Sequence, residues 1–390
     1  MTRIAIVTPI LPVPFDVARG RFIHEQAKAL AREACVRVYL QTARYPSIHW
    51  LKPRSYVDGR VEQAPDLWEG LDVETFSYPA LPWVTRTRNG RSAAARLLPR
   101  LREFDPDLVL GFWVYPDGFA AVRAAHALGK PCIVGALGSD ILTRSGSLER
   151  MTRITLREAD AVVAVSEHLR RVVVSRYGVP LERTHTIING YNTSIFGLQP
   201  QSRCRQALGL PENSRLIVYV GRLIEAKGLR ELLQAFTLLA AKDESVHLSM
   251  IGDGVMRSEI ARLAKASPAA ARIYMPGALT PAQVANWLGA CDVATLPSWS
   301  EGYPNVVVEA LACGRPVVAS RVGGVPEIVH EDNGILVPPR DTDALARGLE
   351  TALAREWNRE AIAGMMHRTW DDVASETLRV YQSLRVNLSQ

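Results

Sequence analysis

Short apolar runs rich in β-branched residues recur along this chain, and longer amphipathic stretches lie between them. In the first half the runs are RIAIVTP, VRVYLQT, LDVETFS, DLVLGFW, PCIVGAL, DAVVAVS and THTIIN. In the second half they are RLIVYVG, VHLSMIG, RIYMPG, DVATLP, RPVVAS and NGILVPP. Stretches such as GRFIHEQAKALARE and KGLRELLQAFTLLAAK place apolar residues at helical spacing between those runs. Short continuous apolar runs alternating with helical patterns predict βα units and parallel sheets. Ligands of such sheets sit outside the carboxyl ends of the strands, so loops after strands are where chemistry is sought.

The two halves share this architecture without evident sequence repetition. At 390 residues the chain exceeds one ordinary core, so two domains are expected. The turn-rich stretch NGYNTSIFGLQPQSRCRQ reads as the linker, which gives domains over 1–190 and 191–370. The tail over 371–390 reads as one amphipathic helix.

A hydrophobic fraction of 47% and a charged fraction of 22% exclude global disorder. No run of eighteen apolar residues is present, so no bilayer span is expected. The start, MTRIAIVTPILPVPFDVARG, reads as a strand and loop rather than a secretion signal. Five scattered cysteines without a CxxC pair suggest neither a disulfide framework nor a zinc site. A cytoplasmic setting fits best.

Charge changes the picture in one place. Residues 1–190 hold 26 Lys/Arg against 19 Asp/Glu, a net +7, and residues 191–390 hold 20 against 21, a net −1. The excess peaks in TRTRNGRSAAARLLPRLR, at Arg86, Arg88, Arg91, Arg96, Arg100 and Arg102. This segment reads either as a solvated arginine face or as a basic face for an anionic membrane surface or a phosphorylated acceptor. No nucleic-acid-binding motif accompanies the charge, so nucleic acid is not expected as a partner.

Four motifs then appear in order: GRLIEAKG (221–228), IGDGVMRSEI (251–260), LPSWSEGYPNVVVEALACGRPVVAS (296–320) and VGGVPEIVHEDNGILVPP (322–339). Together they closely resemble the family 4 retaining glycosyltransferases over residues 185–385. The first half resembles the family more loosely, through GRFIHEQAKAL, YPDGFAA, GSDI and VSEHLR, in the style of cell-surface polysaccharide enzymes. The resemblance implies an α/β GT-B fold of two facing Rossmann-like domains with parallel sheets and an inter-domain cleft. It implies an acceptor-binding first domain, a donor-binding second domain, and a C-terminal helix crossing back to the first. The implied reaction moves a hexose from a nucleotide-diphosphate sugar to a glycan or lipid-linked glycan acceptor. No cofactor and no metal are expected.

The residue types suit that chemistry. A departing diphosphate is stabilised by fixed cations, and Arg222 and Lys227 follow a strand end where Gly221 allows a tight turn. Glu301 lies before a helix that Pro304 and Asn305 begin, and Glu309 lies inside it. A carboxylate on an apolar helix is costly unless hydrogen-bonded, and a diol donates two hydroxyls to it. The resemblance assigns Glu301 to the donor sugar and Glu309 to the ribose, with Gly302, Tyr303, Asn305 and Val306 at the intervening helix start. Gly252 and Gly254 either approach the ligand or make a tight strand–helix turn.

On the acceptor side the candidates are Gly20, Asp117 and Asp140. Either aspartate can orient an acceptor hydroxyl or cap a following helix. Histidines common in relatives are replaced by Leu110, Phe112 and Leu137, while His24 reads as packed or surface. Trp113 and Tyr115 offer a sugar-stacking surface or ordinary packing. Two alternatives stand beside the transferase: a sugar-nucleotide epimerase on the same fold, and a non-catalytic sugar-nucleotide or glycan-binding relative.

Overall fold

The computed structural model describes residues 1–14, 16–46, 65–81 and 85–388. The chain forms two compact units. The first runs from Met1 to Gly190 and includes the last helix, Trp370–Leu388. The second is Tyr191–Thr369. The last two positions of the helix expected over 371–390 lie outside the described residues.

The first unit carries seven strands: β1 (Arg3–Thr8), β2 (Cys35–Arg44), β3 (Asp72–Pro79), β4 (Leu108–Phe112), β5 (Cys132–Ala136), β6 (Ala161–Ala164) and β7 (Thr184–Thr186). The second carries six: β8 (Arg215–Val220), β9 (Val246–Ile251), β10 (Ile273–Gly277), β11 (Val293–Leu296), β12 (Val317–Ser320) and β13 (Gly334–Val337). Each strand falls on one of the apolar runs read from the sequence. All pairings are parallel, in the orders β3-β2-β1-β4-β5-β6-β7 and β10-β9-β8-β11-β12-β13.

Central strands β4 and β5 are buried at every position, which is why they read as continuous apolar runs. The order of strands reverses between β1 and β4 in the first sheet and between β8 and β11 in the second. A reversal sends consecutive crossover helices to opposite faces and leaves a crevice at the strand ends. The loops after β1 and β4, and after β8 and β11, therefore meet side by side.

The last third of the expected linker is helical, within Gln201–Leu208, with Arg205 buried and bonded to Asp292 at 2.6 Å. The final helix belongs to the first core. Trp370, Val373, Ala374, Val380 and Tyr381 pack with Ile23, Ala27 and Leu30 of helix Arg21–Glu33. Within that contact Gln26 donates to Thr377 at 3.3 Å, and both are buried.

Trp370 is thus a core residue of the first unit, although it lies near the end of the chain. Trp370→Ala is expected to cost about 3–5 kcal/mol, the range for truncating a buried aromatic. Urea denaturation of the full chain measures it, and a loss under 1 kcal/mol, roughly that of a surface site, would place the helix outside the core.

Candidate functional site

The second unit gathers most of the sequence candidates. Gly221 follows β8, and its N–H donates to the Ile251 carbonyl at 3.0 Å. Leu223 N–H donates to the Asp253 carbonyl at 2.8 Å, and Met256 N–H returns to Leu223 at 2.9 Å. The loops after β8 and β9 are therefore laced together by backbone. Gly252 and Gly254 take φ +136° and +157°. A Cβ on them would lie 1.9 Å from the Gly221 carbonyl oxygen and 2.4 Å from that of Leu223. The close approach that these glycines permit is to the chain's own neighbouring loop.

Gly228 does the same toward the loop after β11: φ is +66°, and a Cβ would lie 2.1 Å from the Pro297 carbonyl oxygen. Trp299 N–H donates to the Ala226 carbonyl at 2.8 Å, and its indole N–H to Glu231 at 3.1 Å. Across this seam Lys227 Nζ pairs with Glu301 Oε1. Both side chains are largely buried, at 17% and 10% exposure, so each charge is partnered where solvation is poor. Arg222 is exposed on the same loop. Buried Tyr219 lies beneath the pair, with its hydroxyl donating to the Arg222 carbonyl at 3.0 Å. Burial raises this phenol's pKa, the nearby Glu301 charge raises it further, and Arg222 opposes.

Helix Asn305–Ala312 starts where Pro304 and Asn305 predicted. Val307 and Val308 are buried, whereas Asn305, Val306 and Glu309 are partly exposed. Asn305 and Glu309 stand one turn apart on one face, and neither is without a partner in the chain. Tyr303 packs on the core, and its phenol is pushed up to about 12 by burial, with Arg368 opposing and Glu327 adding. The Gly302 carbonyl accepts from Gly324 N–H at 3.1 Å. Gly323, φ +54°, lies so close that a Cβ would sit 1.8 Å from the Glu301 carbonyl oxygen. Sequence reasoning passed over Gly323 and Tyr219; the paired glycines of VGGVPEI were the signal for the first.

In the first unit, Gly20 (φ +61°) turns the chain into helix Arg21–Glu33, and a Cβ there would meet the Ile10 carbonyl oxygen at 2.5 Å. Next to it, Arg19 Nη2 donates to the Pro9 carbonyl at 2.8 Å, while its buried Nη1 has no partner. Burial lowers the pKa of this guanidinium, and Asp16 partly restores it.

The two aspartates separate in role. Asp140 is fully buried, and its carboxylate accepts from the amides of Val114 (3.2 Å), Leu137 (3.1 Å) and Gly138 (2.8 Å). It ties the loop after β4 to the loop after β5. Asp117, also buried, accepts from Gln41 Nε2 at 2.7 Å, and Gln41 Oε1 is left without a partner. Burial pushes the Asp117 carboxyl up to about 7, against the pull of Gln41. Gln41 on β2 carried no sequence signal.

Tyr115 is packed rather than displayed. Its hydroxyl donates to the Arg86 carbonyl at 2.8 Å and accepts from Gly90 N–H at 3.3 Å, and its ring meets Phe119 edge-on. Trp113 remains partly exposed at the end of β4, with φ at +74°, a costly value for a bulky residue. Leu110 and Phe112 are core, and Leu137 packs against it. His24 is buried with neither ring nitrogen hydrogen-bonded. Its pKa is lowered to about 4 by burial, then by Arg21 and Lys28.

The six arginines are divided. Arg88 and Arg91 line a cavity, whereas Arg100 is held by Glu74 at 2.7 Å over the Phe76 ring. Helix Asn89–Phe104 buries Ala93, Leu97, Leu101 and Phe104, so at its 100° per residue Arg91 and Arg102 share the outer face while Arg96 and Arg100 lie on a flank. Among the described residues no His/Cys/Asp/Glu group is placed to hold a metal ion, and no helix is long and apolar enough to cross a membrane.

Two sequence families match in tandem. Residues 20–195 match glycosyltransferase family 4, and residues 214–355 match the group 1 glycosyl transferases. A Bacillus subtilis protein named as a teichuronic acid biosynthesis glycosyltransferase, TuaC, is 28% identical over 89% of this chain and 88% of its own. The D-inositol 3-phosphate glycosyltransferase of Acidothermus cellulolyticus is 31% identical over 68% of this chain and 62% of its own. Crystal structures with the same fold include Anabaena Alr3699/HepE in complex with UDP and glucose (TM-score 0.72, 21% identity, 100% of both chains). Sucrose-phosphate synthase from Thermosynechococcus elongatus gives TM-score 0.76 at 21% identity, covering 99% of this chain and 100% of that one. Such neighbours place the two-unit α/β architecture in the GT-B class.

Two buried groups of the first unit oppose each other in pH. Asp117 keeps its proton to about 7 when folded, against an ordinary 3.8, so stability falls as pH rises through that window. His24 is neutral to about 4 when folded, against 6.5, so stability falls as pH drops through that window. Between about pH 4 and 6.5 these two contributions offset each other. Asp117→Asn keeps the acceptor for Gln41 and removes one slope, so its stability should rise by about 2–3 kcal/mol from pH 4 to 6.5. Urea midpoints across pH read this. A variant that tracks the native chain would mean that Asp117 is ionised throughout.

Proposed function

Because the chain belongs to the family 4, group 1 glycosyltransferases, we propose that it transfers a hexose from a nucleotide-diphosphate sugar to a glycan or lipid-linked glycan in surface polysaccharide assembly. The transfer retains the anomeric configuration and uses no metal ion or other cofactor. The observation that carries this reading is the Lys227–Glu301 pair, with exposed Arg222 on the same loop, where the strand order reverses in the second unit.

The donor divides this pair. Lys227 and Arg222 take the diphosphate, and Glu301 takes sugar hydroxyls. The bond from the anomeric carbon to the phosphate oxygen breaks, and the electron pair leaves with the diphosphate. Fixed cations lower that barrier because they need no reorganisation as charge develops. The acceptor oxygen forms its bond on the same face, and its proton passes to the departing phosphate oxygen. Glu309 holds the ribose hydroxyls, and the Tyr303–Val306 segment borders the donor. Gly221, Gly252 and Gly254 hold the supporting loops together.

Complexes of Anabaena Alr3699/HepE with UDP and with UDP-glucose favour a uridine donor, and the TuaC likeness favours a surface polysaccharide. On the acceptor side, Asp117 is the better candidate to orient the hydroxyl, since all three amides on Asp140 are structural ties. Gly20 shapes the loop beside it. The reaction is placed in the cytoplasm, at the inner face of the membrane.

Saturation-transfer NMR with UDP-, GDP- and ADP-sugars tests the donor site. Binding of one class, lost in Glu309→Ala, is the expected result; no binding by any of them would remove the assignment. Conversion of the donor sugar without an acceptor would instead indicate an epimerase.

A double-mutant cycle separates support from catalysis. Lys227→Met strands a poorly solvated Glu301 and should cost about 1–3 kcal/mol of stability. Adding Glu301→Gln should recover most of that stability while transfer stays at least about a hundredfold down, the scale of losing one preorganised charge contact. Recovery of both stability and activity would make the pair purely structural.

A further inference from the structure

A cavity of about 910 Å³ lies in the first unit at the carboxyl ends of β2 and β3, against the start of helix Asn89–Phe104. The established motifs do not touch it. Its walls mix two chemistries. Tyr45 and Leu81, with prolines beside them, give an apolar side. Arg44, Arg88 and Arg91 stand at its rim, exposed, and none has a carboxylate partner among the described residues. Neighbouring arginines differ: Arg100 is spent on Glu74, and Arg37 on Asp72 at 2.7 Å. The first turn of the helix holds no acidic residue, so its positive end is uncompensated.

Asn89 adds an independent observation. It is 8% exposed, lines the cavity, and its Oδ1 is taken by Thr85 at 2.7 Å. Its Nδ2 donates to no group among the described residues. An amide donor without an acceptor, in the same lining as three arginines that have no carboxylate partner, is a site for a multiply charged oxyanion. The size is that of a small-molecule pocket.

We propose that this cavity is the acceptor's phosphate subsite, binding a phosphate ester or diphosphate through Arg44, Arg88, Arg91 and Asn89. The inference rests on the reading of the first unit as the acceptor side. It adds a length. Gln41, which holds the Asp117 carboxylate, lies three residues before Arg44 on β2, about 10 Å along the strand at ~3.3 Å per residue. The hydroxyl that accepts the hexose is then one or two sugar units from the phosphate. Tyr78 lies between the two places: burial raises its phenol's pKa most, and Asp117 and Tyr45 each add to the rise. The apolar wall suits the first carbons of a lipid attached to that phosphate, while a soluble sugar phosphate shares the same anion chemistry.

Calorimetry on the full chain tests it with inorganic pyrophosphate and geranyl diphosphate, in saturating UDP so that the donor site is filled. UDP binding, measured first, reads the donor assignment separately; its failure would leave the pyrophosphate result intact. Both probes are expected to bind. Arg88→Ala/Arg91→Ala, and independently Arg44→Ala, should weaken them by about tenfold or more, the loss of a charge-assisted contact at a partly exposed site. Arg96→Ala, on the same helix but outside the cavity, should change nothing. Geranyl diphosphate binding more tightly than pyrophosphate assigns a lipid-linked source, and equal binding assigns a soluble one. The proposal is overturned if neither probe binds, if the cavity variants bind normally, or if Arg96→Ala weakens binding equally. Binding confined to vesicles of anionic phosphatidylglycerol would also overturn it, in favour of a membrane surface.

Discussion

Backbone-to-backbone contact between neighbouring βα loops is the constraint on which the donor side depends. Parallel strands bring successive loops to one edge of the sheet, and the order reversal between β8 and β11 lays two of them together. Those loops touch main chain to main chain, at Gly228 on Pro297, Gly252 on Gly221 and Gly323 on Glu301. No side chain fits at such separations, and the positive φ at each position further favours glycine. Lys227 and Glu301 come from different loops and can meet because the loops bearing them are held this closely.

The same structure shows how a site keeps charges ready without exposing them to water. Glu301 and Lys227 are each other's partner, so neither is stranded in a poorly solvated place. A ligand that offers a phosphate to one and hydroxyls to the other replaces one set of contacts by two. Asp117 takes a different course, through a raised pKa and one hydrogen bond from Gln41, which suits a group kept neutral until a polar ligand arrives. Asp140 is spoken for by three amides and can offer little more.

Strands were legible because burial on both faces leaves no polar alternation to confuse the reading. The helix at Asn305 was legible from Pro304 and from the valines that follow. Gln41, Tyr219 and Arg44 were not, for a common reason. Each belongs to a strand, and its role arises from a neighbour far away in sequence: Asp117, Glu301, and the start of helix Asn89–Phe104. The roles of Gly252 and Gly254 stayed open for the same reason, since a glycine records that something comes close without recording what. Tyr115, a candidate stacking surface from its place after a strand, is instead buried and bonded at both lone pair and proton.

The basic excess of the first unit shows how far composition carries an argument. Six arginines in one short stretch read as a single surface, yet helical geometry distributes them and carboxylates claim part of the set. What separates Arg88 and Arg91 from Arg100 is partnership rather than number. An arginine already paired with glutamate over an aromatic ring has little to gain from an incoming anion, because the new contact displaces an old one. An unpaired arginine beside an amide nitrogen with no acceptor gains on every contact that it makes. The sequence locates the charge, but only the folded chain shows which of that charge is uncommitted, and recognition depends on the uncommitted part.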